Sequence, residues 1–233
     1  LVDNKTEPQK GKLFEYCDLA RADKDNLPHV LILDEINRVD LSRVFGEVFS
    51  AMENRNTDIP TAVGGFKLNI PDNLYIIGTM NEIDFSLEQI DFALRRRFLW
   101  FSYGYEPDIL QDIVIHKNED QKASLSPRDI ERLINAASAL NNTIGATDEL
   151  GKQFEIGHTF FAEVVDIYSS FKAINNKTNR IQDKLFRENG PATILWDISI
   201  KPIIEAYLGN VEEEDKKKII DNLNNTFFKA SLD

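Results

Sequence analysis

The chain is 233 residues long, with 42% hydrophobic and 28% charged side chains, the composition of a globular protein with one medium domain or a core plus a smaller companion. No apolar run approaches the roughly 18–20 residues of a membrane span, and a lone cysteine, Cys17, excludes an internal disulfide framework and points to a reducing, cytoplasmic setting. The formal charge of −12 works against general nucleic-acid binding, because a duplex would be repelled unless a local basic patch overrode the field, and the dense basic cluster Arg95-Arg96-Arg97 is too short for that.

In chain order, residues 1–29 are polar, with a short helix expected near Leu13 to Ala20. His29-Val30-Leu31-Ile32-Leu33 is a continuous apolar run, which predicts a strand covered on both faces in a parallel sheet. Asp40 can cap a helix whose stripe is Leu41, Val44, Phe45, Val48, Phe49 and Met52. Residues 59–63 and 66–70 flank Gly64-Gly65 and read as a hairpin with a two-glycine turn. Leu74 to Gly78 is a second buried strand. Ser86 and Gln89 form a capping box for a helix ending at the three arginines, and Phe98 to Tyr103 reads as a third strand. From about Glu106 the character turns helical. Ser126-Pro127 opens a helix with Ile130, Leu133, Ile134, Ala137 and Leu140 on one face, and further helices are expected around 162–171, 193–208 and 215–228. The fold class is therefore α/β over residues 1–105, followed by an α-helical lid or bundle over 106–233.

Three features carry chemistry. In Leu33-Asp34-Glu35-Ile36-Asn37-Arg38, an apolar strand delivers two adjacent carboxylates to its C-terminal edge, where open α/β sheets bind ligands. Phosphoryl transfer needs one acid to hold Mg²⁺, a role that suits Asp34, and another to orient the attacking water, which suits Glu35. An ordinary Asp-Glu pair capping a loop is the alternative. The second feature is Asn81, which comes after the strand Tyr75-Ile76-Ile77-Gly78-Thr79 and could hydrogen-bond water or a terminal phosphate; asparagine after a strand is also a common turn residue. The third is Arg95-Arg96-Arg97. Arginines at a helix end complement its dipole, and they also suit a finger that stabilises transition-state charge across a subunit boundary.

In this order the three resemble the Walker B, sensor 1 and arginine-finger elements of the AAA+ superfamily. Within it the strings are similar to McrB, the motor subunit of modification-dependent restriction systems: Leu33-Asp34-Glu35-Ile36-Asn37-Arg38, Leu41-Ser42-Arg43-Val44-Phe45-Gly46-Glu47, Tyr75-Ile76-Ile77-Gly78-Thr79-Met80-Asn81 and Asp91-Phe92-Ala93-Leu94-Arg95-Arg96-Arg97-Phe98. Leu150-Gly151-Lys152, Phe154 and Ile156-Gly157-His158-Thr159-Phe160-Phe161 extend the likeness, which runs from about residue 13 to 225. The resemblance implies a partial AAA+ P-loop NTPase core with a helical lid, assembled as a ring, a hexamer by the family pattern, with GTP or ATP and Mg²⁺ between neighbouring subunits. It implies Asp34 and Glu35 as the Walker B acids, Asn81 as sensor 1, and Arg96 and Arg97 as the finger candidates. Asn37 and Arg38 match positions near the nucleotide, and Asp84 falls in the Met-Asn-x-x-Asp-Arg-Ser signature. An McrC-type nuclease is the implied partner, with DNA met through another domain or subunit.

Two departures qualify the resemblance. Phe85 stands where the signature has arginine, which puts GTP preference in doubt. No G-x-x-x-x-G-K-S/T loop occurs: Gly11-Lys12 has Thr6 where the first glycine belongs, and Gly151-Lys152 has Ala146 there and Gln153 after it. The expectation is that the phosphate loop lies before residue 1 and that residues 1–233 alone neither bind nor hydrolyse nucleotide. His158 is expected either to contact nucleotide or, more simply, to pack with a bond to a backbone carbonyl. A MoxR- or dynein-related remodelling ATPase and a catalytically silent ring subunit stay open as rivals.

Overall fold

Leu31 is 8% exposed, whereas Val30 and Ile32 on either side of it are 49% and 62% exposed. That alternation belongs to β1 (His29–Leu33), which pairs in parallel with β4 (Leu74–Gly78), bringing Val30 opposite Tyr75 and Leu31 opposite Ile76. In the computed structural model, which describes residues 7–38, 40–81, 95–176 and 185–230, these two strands form a sheet of their own. One face, carrying Leu31, Leu33, Leu74 and Ile76, is covered by α1 (Lys12–Ala22), α2 (Leu41–Glu53) and the hairpin residues Leu68 and Ile70. The other face leaves Tyr75 and Ile77 at 55% and 50% exposure beside Val30 and Ile32. The expectation of strands covered on both faces is thus corrected: a continuous apolar run shows that both faces are apolar, not that the described residues supply a layer for each.

Amphipathic spacing accounts for the covering helices. Cys17 and Ala20 of α1 lie one helical turn apart and are buried against the sheet, and burial pushes the Cys17 thiol above its usual value. In α2, Phe49 and Ala51 are buried, with Val48 and Met52 packed beside them. The hairpin pairs β2 (Ile59–Pro60) with β3 (Lys67–Leu68) antiparallel, but it is shorter than the sequence suggests. The Thr61 N–H donates to the Phe66 carbonyl at 2.9 Å, closing a four-residue loop over 62–65 in place of a two-residue turn. Pro60 has no amide with which to extend the ladder. Gly64, at φ +77°, has no room for a side chain, since a Cβ there would meet the Phe66 ring at 2.5 Å.

The strand expected at 98–103 does not form. Leu99, Phe101 and Tyr103 are 87%, 74% and 92% exposed, and this stretch joins neither sheet. Apolar alternation signals a strand only when a neighbouring edge is free to complete the ladder. The Ser86–Gln89 capping box and Asp84 fall outside the described residues.

The chain divides into two compact units, Leu1–Phe101 and Ser102–Asp233. In its described residues the second unit is helical: α3 (Pro107–Asp120), α4 (Pro127–Ala146), α5 (His158–Ala162), α6 (Val164–Asn176), α7 (Pro191–Leu195), α8 (Lys201–Tyr207) and α9 (Glu213–Lys229). Ser126 caps α4 by accepting the Asp129 N–H at 3.1 Å, and Pro127 takes the first helical position, where no amide is needed. Leu133, Ala136, Ala137, Leu140 and Ile144 are fully buried on α4, which packs against α3 and α9. An aromatic group of Phe161, Phe186 and Trp196 surrounds Phe227 of α9. Between α7 and α8 the chain widens into a π turn at Trp196–Ile200, with the Lys201 N–H donating to the Trp196 carbonyl. Pro202 explains the widening, because it offers no amide and its ring would crowd the Ile198 carbonyl in a regular helix.

Asn141, 2% exposed, closes this core. Its Nδ2 donates to the Ile156 carbonyl at 3.0 Å and its Oδ1 accepts the Ile156 N–H at 2.8 Å, so one amide side chain satisfies both backbone groups of a fully buried residue. Replacing Asn141 by Ala strands both groups and leaves a small void. Chemical denaturation of this unit is expected to show a loss of about 2–4 kcal/mol, and a loss below ~1 kcal/mol would show that the pair is dispensable.

Candidate functional site

Parallel pairing in register sets Leu33 against Gly78, so the chain leaves both strands at the same edge of the sheet. Residues 34–38, which continue from β1, therefore lie beside residues 79–81, which continue from β4. The Thr79 N–H donates to the Leu33 carbonyl and the Ile36 N–H to the Thr79 carbonyl, each at 2.9 Å. The Thr79 hydroxyl accepts the Glu35 N–H at 3.0 Å and donates to Asp34 Oδ1. Further along, Asn37 Nδ2 donates to the Asn81 carbonyl at 3.0 Å. Gly78 permits this closeness, since a Cβ there would come within 2.7 Å of Ile36 Cδ1. Ile36 itself packs with Phe49, Met80 and Phe98, which anchors the turn from below.

Asp34 and Glu35 are both exposed at this edge. Glu35 sits at φ +51°, in the left-handed region that costs a non-glycine residue about 1–2 kcal/mol. The cost turns the chain sharply after Asp34, so consecutive carboxylates need not alternate across the sheet. The Ile36–Arg38 3₁₀ turn then brings Arg38 back onto Glu35, with Nε 2.5 Å from Oε2 and Nη2 2.9 Å from Oε1, a two-pronged guanidinium–carboxylate pair. Asn37 is only 4% exposed, and its Oδ1 is a buried acceptor without a hydrogen-bond partner among the described residues.

The three arginines are not equivalent. Arg97 donates to Glu53 Oε1 at 2.7 Å and lies over the Phe49 ring at 5.5 Å. Arg95 stacks over Trp100 at 5.5 Å, and its carbonyl accepts the Trp100 indole N–H at 2.9 Å. Arg96 is exposed and makes no side-chain contact of this kind among the described residues. Of the residues singled out from sequence, Asp34, Glu35, Asn37, Arg38 and Asn81 come together at one sheet edge. Asp84 lies outside the described residues.

His158 belongs to the helical unit. Its Nε2 accepts the Glu106 N–H at 2.8 Å, lies 3.1 Å from the Glu106 carbonyl, and its ring stacks on Tyr105 at 5.4 Å. Burial raises the Tyr105 phenol above its usual value, while Ser138 beside the hydroxyl works the other way. Glu155 Oε2 accepts the Tyr105 N–H at 3.1 Å, so histidine and glutamate both hold the segment entering α3.

No group of three or more metal-binding side chains occurs among the described residues. The exposed Asp34 carboxylate could give one oxygen ligand to a cation whose remaining ligands came from phosphate and water. Lys12, in the Gly11-Lys12 pair, is held by Glu15 at 2.7 Å, a bond that raises its pKa. Sequence reasoning missed Thr79. Its signal was a hydroxyl residue directly after the second apolar strand.

Residues 3–98 match the family model of the AAA domain, dynein-related subfamily. The chain is 34% identical over 161 residues to the type IV methyl-directed restriction enzyme EcoKMcrB subunit of Escherichia coli (strain K12), covering 65% of this chain and 34% of that protein. It is 32% identical over 85 residues to the type II restriction enzyme BsuMI component YdiS of Bacillus subtilis (strain 168), covering 30% of this chain and 25% of that one. The chain thus spans about a third and a quarter of the lengths of these relatives.

The contacts separate the arginines by experiment. Replacing Arg97 by Ala is expected to lower stability by about 1–2 kcal/mol through loss of the Glu53 pair and the Phe49 face. Replacing Arg96 by Ala is expected to change stability by less than ~0.5 kcal/mol. Equal losses in chemical denaturation would remove the distinction.

Proposed function

We propose that the chain is an McrB-type AAA+ protein whose first unit supplies the hydrolytic side of a nucleoside-triphosphate site in a restriction system, a reading supported by its likeness to the AAA domain model and to the two restriction-enzyme components. The observation that carries the reading is the joining of Asp34, Glu35 and Asn81 at the shared edge of two parallel strands, exposed and tied by a common set of hydrogen bonds. Bound Mg²⁺ would neutralise charge on the phosphates of GTP or ATP. Asp34 is the residue that would hold it. Glu35 orients and deprotonates the attacking water, and Asn81 hydrogen-bonds water or the terminal phosphate without adding charge.

Arg96 is the finger offered to a neighbouring copy in a ring, a hexamer by family pattern, because Arg97 and Arg95 are occupied within the chain. Arg97 keeps the segment rigid. Asn37 serves as a strut under Asn81, and Asp84 is joined to the nucleotide-binding set by the resemblance alone. His158 is a packing residue of the helical unit in this reading, not a nucleotide contact. The motion set off by hydrolysis acts on an McrC-like nuclease. DNA is met through another domain or subunit, in keeping with the −12 charge. The phosphate-cradling loop is not among these 233 residues, so the chain alone should not retain nucleotide.

A second reading has a specific observation in its favour. Both Glu35 oxygens are engaged by Arg38, which suits a silent subunit whose acid is not free to act. Substitution in the intact protein decides between them. Glu35→Gln is expected to reduce nucleotide hydrolysis by about 100-fold or more while nucleotide affinity stays within about threefold. Hydrolysis unaffected by Glu35→Gln would sink the catalytic reading. Tight nucleotide binding by residues 1–233 alone would sink the proposal that the chain alone does not retain nucleotide.

A further inference from the structure

Thr79 is engaged at every polar atom it has. Its N–H binds Leu33, its carbonyl binds Ile36, and its hydroxyl binds Asp34 on one side and Glu35 on the other. Four consecutive residues, 33 to 36, are thereby fastened to a single residue of the neighbouring strand. The hydroxyl bonds are directional. A hydroxyl has one proton and two lone pairs, so when it accepts the Glu35 amide its proton is committed to the Asp34 carboxylate. The side chain that turns Asp34 Oδ1 is the same one that fixes the amide of Glu35, at the φ of +51°. Among the described residues Asp34 Oδ2 makes no hydrogen bond, which leaves it as a ligand oxygen.

We propose that Thr79 is a positioning residue for both acids: one hydroxyl aims the Asp34 carboxylate and holds Glu35 in its left-handed turn, so that the two carboxylates keep different orientations at one sheet edge. This rests on the nucleotide-site reading. The backbone bonds of residue 79 do not involve its side chain and are kept in Thr79→Val and Thr79→Ser, so strand pairing does not depend on the hydroxyl. The hydroxyl bonds are exposed and add little to stability. Their effect is on orientation, as with the outer-shell partners that hold metal-binding carboxylates.

The test uses the intact protein with Thr79→Val, which keeps the shape and removes both bonds, and Thr79→Ser, which keeps them. Mn²⁺ in place of Mg²⁺ allows binding of the ion with nucleotide to be read by electron paramagnetic resonance, separately from turnover. Thr79→Val is expected to weaken Mn²⁺ binding and lower kcat by about 10–100-fold each, with nucleotide KM within about threefold and an unchanged unfolding midpoint. Thr79→Ser should return both to within about threefold of the parent.

Amide hydrogen exchange gives a readout without nucleotide. The Glu35 N–H should be protected in the parent and in Thr79→Ser and unprotected in Thr79→Val. Mn²⁺ binding and kcat unchanged in Thr79→Val, while Glu35→Gln is inactive, would overturn the role of Thr79 and leave the nucleotide site standing. Full activity of Glu35→Gln together with unchanged Mn²⁺ binding by Asp34→Asn would overturn the site itself and the positioning role with it. Should Thr79→Val not fold, a Glu35 amide in the parent protein that exchanges at the free-peptide rate overturns the proposal without any variant.

Discussion

The site depends on the register of one parallel strand pair. With Leu33 opposite Gly78, the segments leaving β1 and β4 start level with each other, and every later contact between them stems from that start. A slip of β1 by one residue would turn Leu31 and Leu33 out of the core and set Val30 and Ile32 into it, while moving Thr79 away from Asp34. Burial of Leu31 and Leu74 against α1 and α2 therefore does two things at once. It selects the face of the sheet, and it fixes which atoms meet at the acidic edge. The hydrophobic term sets the register, and the weaker, directional hydrogen bonds then act within it.

That division of labour explains why the edge can be both exposed and ordered. The carboxylates of Asp34 and Glu35 are exposed, so burial does not hold them. They are held by bonds to residue 79, by the Asn37–Asn81 strut and by the packing of Ile36 beneath them. Backbone strain at this edge falls on Glu35, whose φ of +51° lets the chain double back within three residues and return Arg38 to the Glu35 carboxylate. The same turn gives the acid a competitor for any ligand. An anion or carboxylate reaching Arg38 would compete with Glu35 for its guanidinium.

How much of this was legible in the sequence varied with the kind of signal. Strands 29–33 and 74–78 and the long helix opened by Ser126-Pro127 were plain, because apolar runs and caps are local and strong. Helix α3 was not, since only Leu110 and Val114 of its fourteen residues are buried and its periodicity is faint. The false strand at 98–103 had alternation without a partner, a fact about neighbours that no local pattern contains. The order of Asp34-Glu35, Asn81 and the arginines pointed to the edge where the structure gathers Asp34, Glu35 and Asn81, but it could not rank the arginines. Their ranking depends on Glu53, Phe49 and Trp100, which composition at 95–97 does not reveal.

Thr79 shows the deeper limit. A hydroxyl residue at a strand end has many ordinary uses, and nothing in its neighbours' identities distinguishes one that spans two acids from one that caps a turn. The distinction arises only when a parallel partner brings residues 34 and 35 to it across 44 or 45 positions of sequence. The resemblance supplied the acids because the roles it implies for them, binding a hard cation and taking a proton from water, narrow the choice of residue type. The groups that aim them are constrained by geometry instead, and several residue types could serve. A motif therefore reports the reacting atoms of such a site more faithfully than it reports what orients them, and the orienting layer has to be read from hydrogen bonds.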